Sequence, residues 1–220
     1  MEFHIAGQRG DFAQSSFSDF EPSLTDLSVA CPLTETSLQD NFLFAIYPPD
    51  DVAKRVHDLA ALFCEQCKLT TNMRPAAVLH ATLCLLKGPH CVDAALRVGD
   101  GIASTAFEVV FDHVLSFGRS KSSIRKYPFV LSCEPGCNQA MHWLQRKLRM
   151  PLRRMGLLYE RGFTPHVTLF YDSNRINKRA VEPIGWTVTE FALVHSHFGE
   201  ARHETIRRWK LPIQVTTPSA

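Results

Sequence analysis

Apolar and polar positions follow two different periods along the chain after residue 40. Short runs of β-branched and aromatic residues that end at turn residues predict strands, and apolar residues spaced three and four apart predict helices. The predicted strands begin at Asn41 and then cover 78–86, 107–115, 127–133, 163–171 and 188–198. The first predicted helix should have its first turn capped by Asp50 or Asp51, and the other two cover 92–103 and 141–155. Pro151 should kink or split the last helix, because a proline ring clashes with the preceding turn.

The order of these elements is similar in two halves that meet near residue 115. We therefore expect an α+β fold, a bilobal duplicated unit in which antiparallel sheets line a central groove and the helices lie outside. This two-lobed domain should cover residues 41–212. Residues 1–40 are polar and lack a sustained period, so we expect an acidic, disordered N-terminal tail there, and residues 213–220 should form a C-terminal tail.

Composition narrows the class of protein. The chain has 220 residues, of which 45% are hydrophobic and 21% charged, as in globular proteins rather than fibrous or wholly disordered ones. It contains neither an apolar run long enough to span a membrane nor a secretory signal at its start, so we expect a cytoplasmic protein without membrane contact. Its seven cysteines should be reduced thiols, and Cys64-x-x-Cys67 lacks the second Cys/His pair that a zinc finger needs.

Charge is distributed unevenly. Residues 1–40 carry a formal charge of -6, and the remaining residues carry +8. A positive folded body favours an anionic partner such as a nucleotide or RNA, although a solvated basic surface is the alternative interpretation.

Two similar strings occupy equivalent places in the two halves, LHATLCLL with His80 and Thr82, and PHVTLFYD with His166 and Thr168. Side chains two residues apart on a strand project from the same face, so each string should present an imidazole beside a hydroxyl, with its apolar residues on the opposite face. Leu85 and Tyr171 should belong to those apolar faces. A third triplet, His203-Glu-Thr205, lies in an Arg-rich stretch without strand alternation, and we expect it to be a coincidence.

Two imidazoles that flank one phosphate can perform both proton transfers of a phosphoester reaction near neutral pH. One takes a proton from water while the other protonates the leaving oxygen, and two threonine hydroxyls can hold the remaining phosphate oxygens. This chemistry needs no metal and no cofactor. The alternative is that each histidine only satisfies a buried polar contact.

The pair of His-x-Thr-Leu strings, the opening FLFAIYPP, the Phe163–His166 lead-in and the closing EFALVHS followed by RRWKLP resemble the two-histidine (2H) phosphoesterases. Within that superfamily the chain is similar to the RNA 2',3'-cyclic phosphodiesterases, also called 2'-5' RNA ligases (LigT-like). The resemblance covers residues 41–212. It implies a bilobal fold with both His-x-Thr strands in one groove, the same architecture that the duplication indicates.

The resemblance also implies roles for the four residues. His80 corresponds to the proton donor, His166 to the proton acceptor, and Thr82 and Thr168 to the phosphate-holding hydroxyls. The implied substrate is RNA or a nucleotide with a 2',3'-cyclic phosphate, which water opens to a 2'-phosphate. We expect the protein to be a monomer. A 2'-5' RNA ligase, a 2'-5' oligonucleotide phosphodiesterase and a non-catalytic nucleotide-binding module remain alternatives.

Other residues could bind the rest of the substrate. Arg161 is the favoured candidate because it precedes the second motif, and further basic candidates are Arg125, Lys126, Arg207 and Arg208. Tyr127 or Phe170 could stack on a base, since every base has an aromatic face, although packing is the alternative role for each.

Overall fold

The fold is that of a computed structural model, which describes residues 41–118, 126–159, 162–197 and 200–213. The expected tail over residues 1–40 and most of the expected C-terminal tail lie outside this part of the chain. The strands are β1 (Asn41–Ile46), β2 (Ala81–Leu86), β3 (Phe107–Ser116), β4 (Tyr127–Ser132), β5 (His166–Asp172), β6 (Arg179–Val188), β7 (Glu190–His197) and β8 (Arg202–Lys210). The helices are α1 (Asp50–Gln66), α2 (Val92–Asp100) and α3 (Gln139–Arg154).

The eight strands of the described residues join one antiparallel sheet in the order β6-β3-β4-β5-β2-β1-β7-β8. From the centre outwards, one half reads β2-β1-β7-β8 and the other β5-β4-β3-β6. Each half has a bulge in its inner pair and another in its outer pair. The predicted α+β fold with a duplicated unit is therefore confirmed, but residue 115 is not a spatial boundary, because β3 and β4 pair across it.

One hydrophobic core lies between the sheet and the helices. Aromatic side chains fill much of it, and Phe44, Phe111, Phe129, Phe170 and Phe191 are each almost completely buried. A smaller cluster on the other face of the sheet consists of Leu43, Ala45, Ala192 and Val194. The sheet therefore has apolar contacts on both faces, and its second face carries the polar groups described below.

The predicted side-chain cap of α1 and the predicted split of α3 are not observed. Asp50 and Asp51 lie in the first turn of α1 after Pro49 and make no side-chain cap hydrogen bond, so their favourable contribution comes from the positive end of the helix dipole. Pro151 does not split α3, which continues to Arg154. A proline in the last turn removes a single backbone hydrogen bond, a smaller disturbance than one at the middle of a helix.

The outer strands differ most from prediction. The segment predicted as one strand over 188–198 contains the end of β6 and the whole of β7, and β8 was not predicted at all. The pattern of β8 escapes a simple alternation because its pairing with β7 shifts between Leu193 and Val194. Among the residues that the structure describes, none of the helices is long and apolar enough to cross a membrane.

Candidate active site

The two His-x-Thr motifs meet at the centre of the sheet, where β2 and β5 pair through Ala81 and Val167. These are the middle residues of the two motifs, and both are completely buried in the core. Because strand neighbours alternate between faces, the histidine and threonine of each motif project from the opposite face. The antiparallel register sets His80 next to Thr168 and Thr82 next to His166.

Beyond each motif a bulge changes which side chains face the core. The pairing shifts next to Thr82 in β2 and next to Thr168 in β5, so the duplication extends to these irregularities. As a result Leu85 packs against the small cluster on the groove face, and Tyr171 lines the groove. The prediction that Leu85 and Tyr171 share the core-facing side was therefore wrong, because a bulge reverses the alternation that follows it.

Each histidine ring is oriented by a backbone carbonyl two residues earlier. Nδ1 of His80 donates a hydrogen bond to the Val78 oxygen at 2.8 Å, and Nδ1 of His166 donates one to the Thr164 oxygen at 2.7 Å. A carbonyl oxygen can only accept, so Nδ1 carries the proton in both neutral rings. Nε2 of each ring is then the nitrogen that is available to take up or release a proton.

Burial dominates the electrostatics of both imidazoles. It lowers the pKa of His80 to about 3, and the hydrogen bond to Val78 opposes this effect. Electrostatic interactions with His203 and Arg74 lower the pKa of His80 further. Burial also lowers the pKa of His166. Both imidazoles are therefore neutral at pH 7 when no anion occupies the groove.

His80, Thr82, His166 and Thr168 line one cavity of about 420 Å³, called here the His-x-Thr cavity. Arg74 lines the same cavity, and its guanidinium lies 5.6 Å from the centroid of the Tyr171 ring. Arg74 Nε is buried and makes no hydrogen bond to any residue in the described part of the chain. Its backbone N–H donates to the Leu169 oxygen at 2.9 Å, which fixes the segment against β5. Arg149 lines the cavity as well, so the cavity combines two imidazoles, two hydroxyls and two permanent cations.

A third histidine lies beside this cavity. The ring of His203 on β8 contacts the ring of His80 edge to face, with 4.7 Å between their centroids. Its Nδ1 shares a hydrogen bond of 2.8 Å with the hydroxyl of Tyr47, whose pKa burial raises to about 12. The sequence predicted His203-Glu-Thr205 to be a coincidence, but pairing of β8 with β7 brings His203 onto the groove face beside His80. His203 and Thr205 also line a second cavity of about 430 Å³.

The other candidate binding residues divide into three groups. Arg161 and Arg125 lie outside the described residues. Arg207 pairs with Asp100 of α2 and so belongs to the helix side of the sheet, whereas Arg208 pairs with Glu190 and lines the second cavity.

The remaining candidates are Lys126 and the two aromatic residues that were predicted to stack on a base. Lys126 is exposed immediately before β4. Tyr127 is half-buried at the start of β4, opposite Asp172. Phe170 is completely buried and stacks on Phe129, so it is a packing residue and the prediction that it could stack on a base was wrong.

Sequence reasoning missed Arg74, Tyr47 and the position of His203. Arg74 has no motif around it, and backbone contacts of its segment with β5 bring it to the cavity. The repeated His-x-Thr triplet was a usable signal for His203, but the strand that carries it is irregular. Tyr47 follows β1 directly, and its position between two imidazoles depends on the pairing of three strands.

A duplicated antiparallel α+β fold with two His-x-Thr strands at its centre defines the class of two-histidine phosphoesterases. The sequence model of the 2'-5' RNA ligase superfamily matches residues 48–200, and the chain belongs to this superfamily of phosphoesterases and ligases. No match was found among curated protein sequences.

Solved structures agree with the fold. TT0787 of Thermus thermophilus is 16% identical with a TM-score of 0.64, and the match covers 80% of this chain and 100% of that one. E. coli LigT in its apo form is 24% identical with a TM-score of 0.62, covering 79% and 98% of the two chains. E. coli LigT complexed with 3'-AMP is 23% identical with a TM-score of 0.60, covering 78% and 98%.

Proposed function

We propose that this protein opens 2',3'-cyclic phosphates at RNA ends to 2'-phosphates, by acid/base catalysis that needs no metal ion. One observation carries the proposal. The His-x-Thr cavity contains two imidazoles, and each has Nδ1 held by a backbone carbonyl so that Nε2 is available for proton transfer. Hydrolysis of a phosphodiester requires one group that accepts a proton and one that supplies it.

In this mechanism Nε2 of His166 accepts a proton from water while the water oxygen bonds to phosphorus. The bond from phosphorus to the 3'-oxygen breaks, and Nε2 of His80 gives its proton to that oxygen. The 2'-phosphate remains on the ribose. The assignment of donor and acceptor follows the family resemblance, because the two halves of the sheet are too similar to distinguish them.

The negative charge of the bound phosphate would change the protonation state of His80. A cyclic phosphodiester has one negative charge, and an anion next to an imidazole favours its protonated form. His80, whose pKa burial lowers to about 3, would therefore become a proton donor only when the phosphate lies between the two rings. His203 would act as a positioning residue that supports the face of the His80 ring.

Three further groups would bind the phosphate. Thr82 and Thr168 offer hydroxyl donors, and Arg74 offers a guanidinium whose Nε is buried without a hydrogen-bond partner among the described residues. A cavity of about 420 Å³ is within the usual range for small-molecule ligands. E. coli LigT is known in complexes with 3'-AMP and with ATP, which supports a nucleotide or RNA end as the ligand. A cytoplasmic monomer is part of the same proposal.

The second candidate function is that of a 2'-5' RNA ligase, in which the 5'-hydroxyl of a second RNA attacks the cyclic phosphate in place of water. The same acid/base pair can serve a hydroxyl nucleophile instead of water. The second cavity of about 430 Å³, on the far side of His203, offers room for another RNA segment beside the reaction centre and is the observation that favours this candidate. A 2'-5' oligonucleotide phosphodiesterase would use the same pair in the cleavage direction.

The test uses purified full-length protein and an oligonucleotide that ends in a 2',3'-cyclic phosphate. His80→Ala and His166→Ala should each lower kcat by about 10²- to 10⁴-fold, the usual contribution of an acid or base. His90→Ala, at an exposed histidine outside the cavity, should have no effect, and full activity should survive EDTA. Unchanged turnover in both cavity variants would exclude the mechanism, and binding of the oligonucleotide without turnover by the unmodified protein would favour a nucleotide-binding module.

A further inference from the structure

Two histidines and a glutamate meet on the sheet face opposite the His-x-Thr cavity. His195 and His197 are two residues apart on β7 and therefore project from one face. Glu204 on β8 is the direct register partner of His195. Ser196 lines the His-x-Thr cavity, whereas His195 stacks on Phe42 of the hydrophobic core, so the two histidines point away from that cavity.

The three side chains already lie close to one another. One nitrogen of each imidazole and a carboxylate oxygen of Glu204 all lie within 4.8 Å of one another. The two imidazole centroids are 4.0 Å apart, and Nε2 of His197 is 3.4 Å from Oε2 of Glu204. Phe42 stacks on the His195 ring at 4.5 Å and an interplanar angle of 8°, which fixes the orientation of that ring.

These distances between ligand atoms are compatible with a metal site whose side chains move slightly closer when the metal ion binds. Zinc binds histidine nitrogen and carboxylate oxygen at about 2.0–2.2 Å, and a tetrahedral arrangement then separates two ligand atoms by about 3.4 Å. The pair formed by His197 and Glu204 already has that separation. The Glu204 side chain is 64% exposed, so a rotamer change of this residue can bring its carboxylate closer to His195.

We propose that His195, His197 and Glu204 form a binding site for a divalent transition-metal ion such as Zn²⁺, separate from the proposed catalytic cavity. Two histidines and one carboxylate suit zinc, iron, nickel or copper rather than magnesium or calcium, which prefer oxygen ligands. A simple ion pair would use only one imidazole, whereas a metal ion uses all three side chains. Three protein ligands leave a further position for water.

The position of this site gives it a structural consequence. The metal ion would link β7 to β8, the strand at the edge of the sheet. Glu204 is adjacent to His203, whose side chain contacts His80 on the other face. Metal binding would therefore stabilise the strand that supports the proposed proton donor, without taking part in the reaction.

The experiment measures binding of Zn²⁺ and Co²⁺ to full-length protein without a polyhistidine tag, by titration calorimetry and by cobalt absorption. The unmodified protein should bind one equivalent, with an absorption spectrum of nitrogen and oxygen ligands and no thiolate charge-transfer band, and its melting temperature should rise with zinc. Glu204→Gln and His197→Ala should each weaken binding by about tenfold or more, since even the loss of a ligand's supporting hydrogen bond costs that much.

Matched controls separate this site from other zinc ligands in the chain. Glu200→Gln removes an exposed carboxylate that pairs with Arg202, and it should leave binding unchanged. His80→Ala and a Cys64→Ser/Cys67→Ser variant should also leave it unchanged. The proposal is wrong if the unmodified protein binds no equivalent of metal, or if affinity depends on His80 or on the cysteines instead of on Glu204. Unaltered melting temperatures of the metal-free variants show that folding is intact.

Discussion

Arg74 offers a sharp test because it is a cation of the His-x-Thr cavity that the sequence did not single out. Its Nε is buried and makes no hydrogen bond within the described residues, although the guanidinium lies over Tyr171. An anionic phosphate would supply the missing acceptor. Arg74→Gln removes the charge and keeps much of the side-chain length, so the variant tests the charge itself.

The expected loss follows from the strength of a hydrogen bond to a charged group, about 1.5–3 kcal/mol. At about 1.4 kcal/mol per factor of ten, kcat/KM for a cyclic-phosphate oligonucleotide should fall by about 10- to 150-fold in Arg74→Gln. Arg74→Lys should recover part of the loss, because lysine keeps the charge without the planar fork. The dependence of KM on salt should also weaken, since one contact with phosphate is gone.

The pH dependence gives a second readout with a definite sign. Arg74 lowers the pKa of His80, so removing its charge raises that pKa. As the proposed donor, His80 must be protonated, and kcat/KM falls as pH rises through this pKa. The basic limb of the kcat/KM profile should therefore move to higher pH in Arg74→Gln.

Steady-state kinetics across a pH series measures both effects, with Arg146→Gln as the matched control. Arg146 also lies over an aromatic ring, that of Trp143 at 5.8 Å, but on α3 outside the cavity. A loss smaller than about threefold in Arg74→Gln, an equal loss in Arg146→Gln, or a basic limb that moves to lower pH would refute the reasoning.

Three further predictions concern protonation, phosphate binding and packing. Burial lowers the pKa of His80 to about 3 and also lowers that of His166, so kcat/KM should be greatest below pH 6.5. Bound phosphate favours protonation, so the basic limb of the kcat profile should lie at higher pH than that of the kcat/KM profile. Coincident basic limbs in these two profiles would contradict the prediction. Thr82→Val should lower kcat/KM by about 10- to 100-fold, less than His80→Ala in the same steady-state assay, since it removes a hydrogen bond rather than a proton transfer; equal losses would be inconsistent with this division of roles. Gly99→Ala should lower the free energy of unfolding by about 1–3 kcal/mol in a denaturant titration, because its Cβ would lie 2.3 Å from Trp209; Gly101→Ala, with its nearest contact at 3.6 Å, is the control that should change little.

The sequence was most informative where the chain is regular. The alternation around Ala81 and Val167 predicts which face of each central strand carries histidine and threonine, and the structure has both motifs in one cavity. Their roles in catalysis remain predictions. The alternation fails beyond the motifs, at Leu85 and Tyr171, because a bulge is set by cross-strand pairing and leaves no simple local pattern.

The rest of the site depends on contacts between segments distant in sequence. β8 lacks a clear alternation, and its proximity to the site arises from pairing with β7. The local pattern therefore showed neither the position of His203 nor the cluster at Glu204. Arg74 belongs to a segment between α1 and β2 that contacts β5 through its backbone. A single sequence does not reveal such pairing, which explains why Phe170, a core residue, was a base-stacking candidate and Tyr171 was not.

Product analysis of the cyclic-phosphate reaction tests the central claim most directly. The full-length protein is incubated with an oligonucleotide ending in a 2',3'-cyclic phosphate, and the products are separated by chromatography against 2'-phosphate and 3'-phosphate standards. The proposed roles of His80 and His166 predict a 2'-phosphate, formed by the unmodified protein and not by the variant that lacks both imidazoles. A 3'-phosphate product, or cleavage that persists without both imidazoles, would contradict the account.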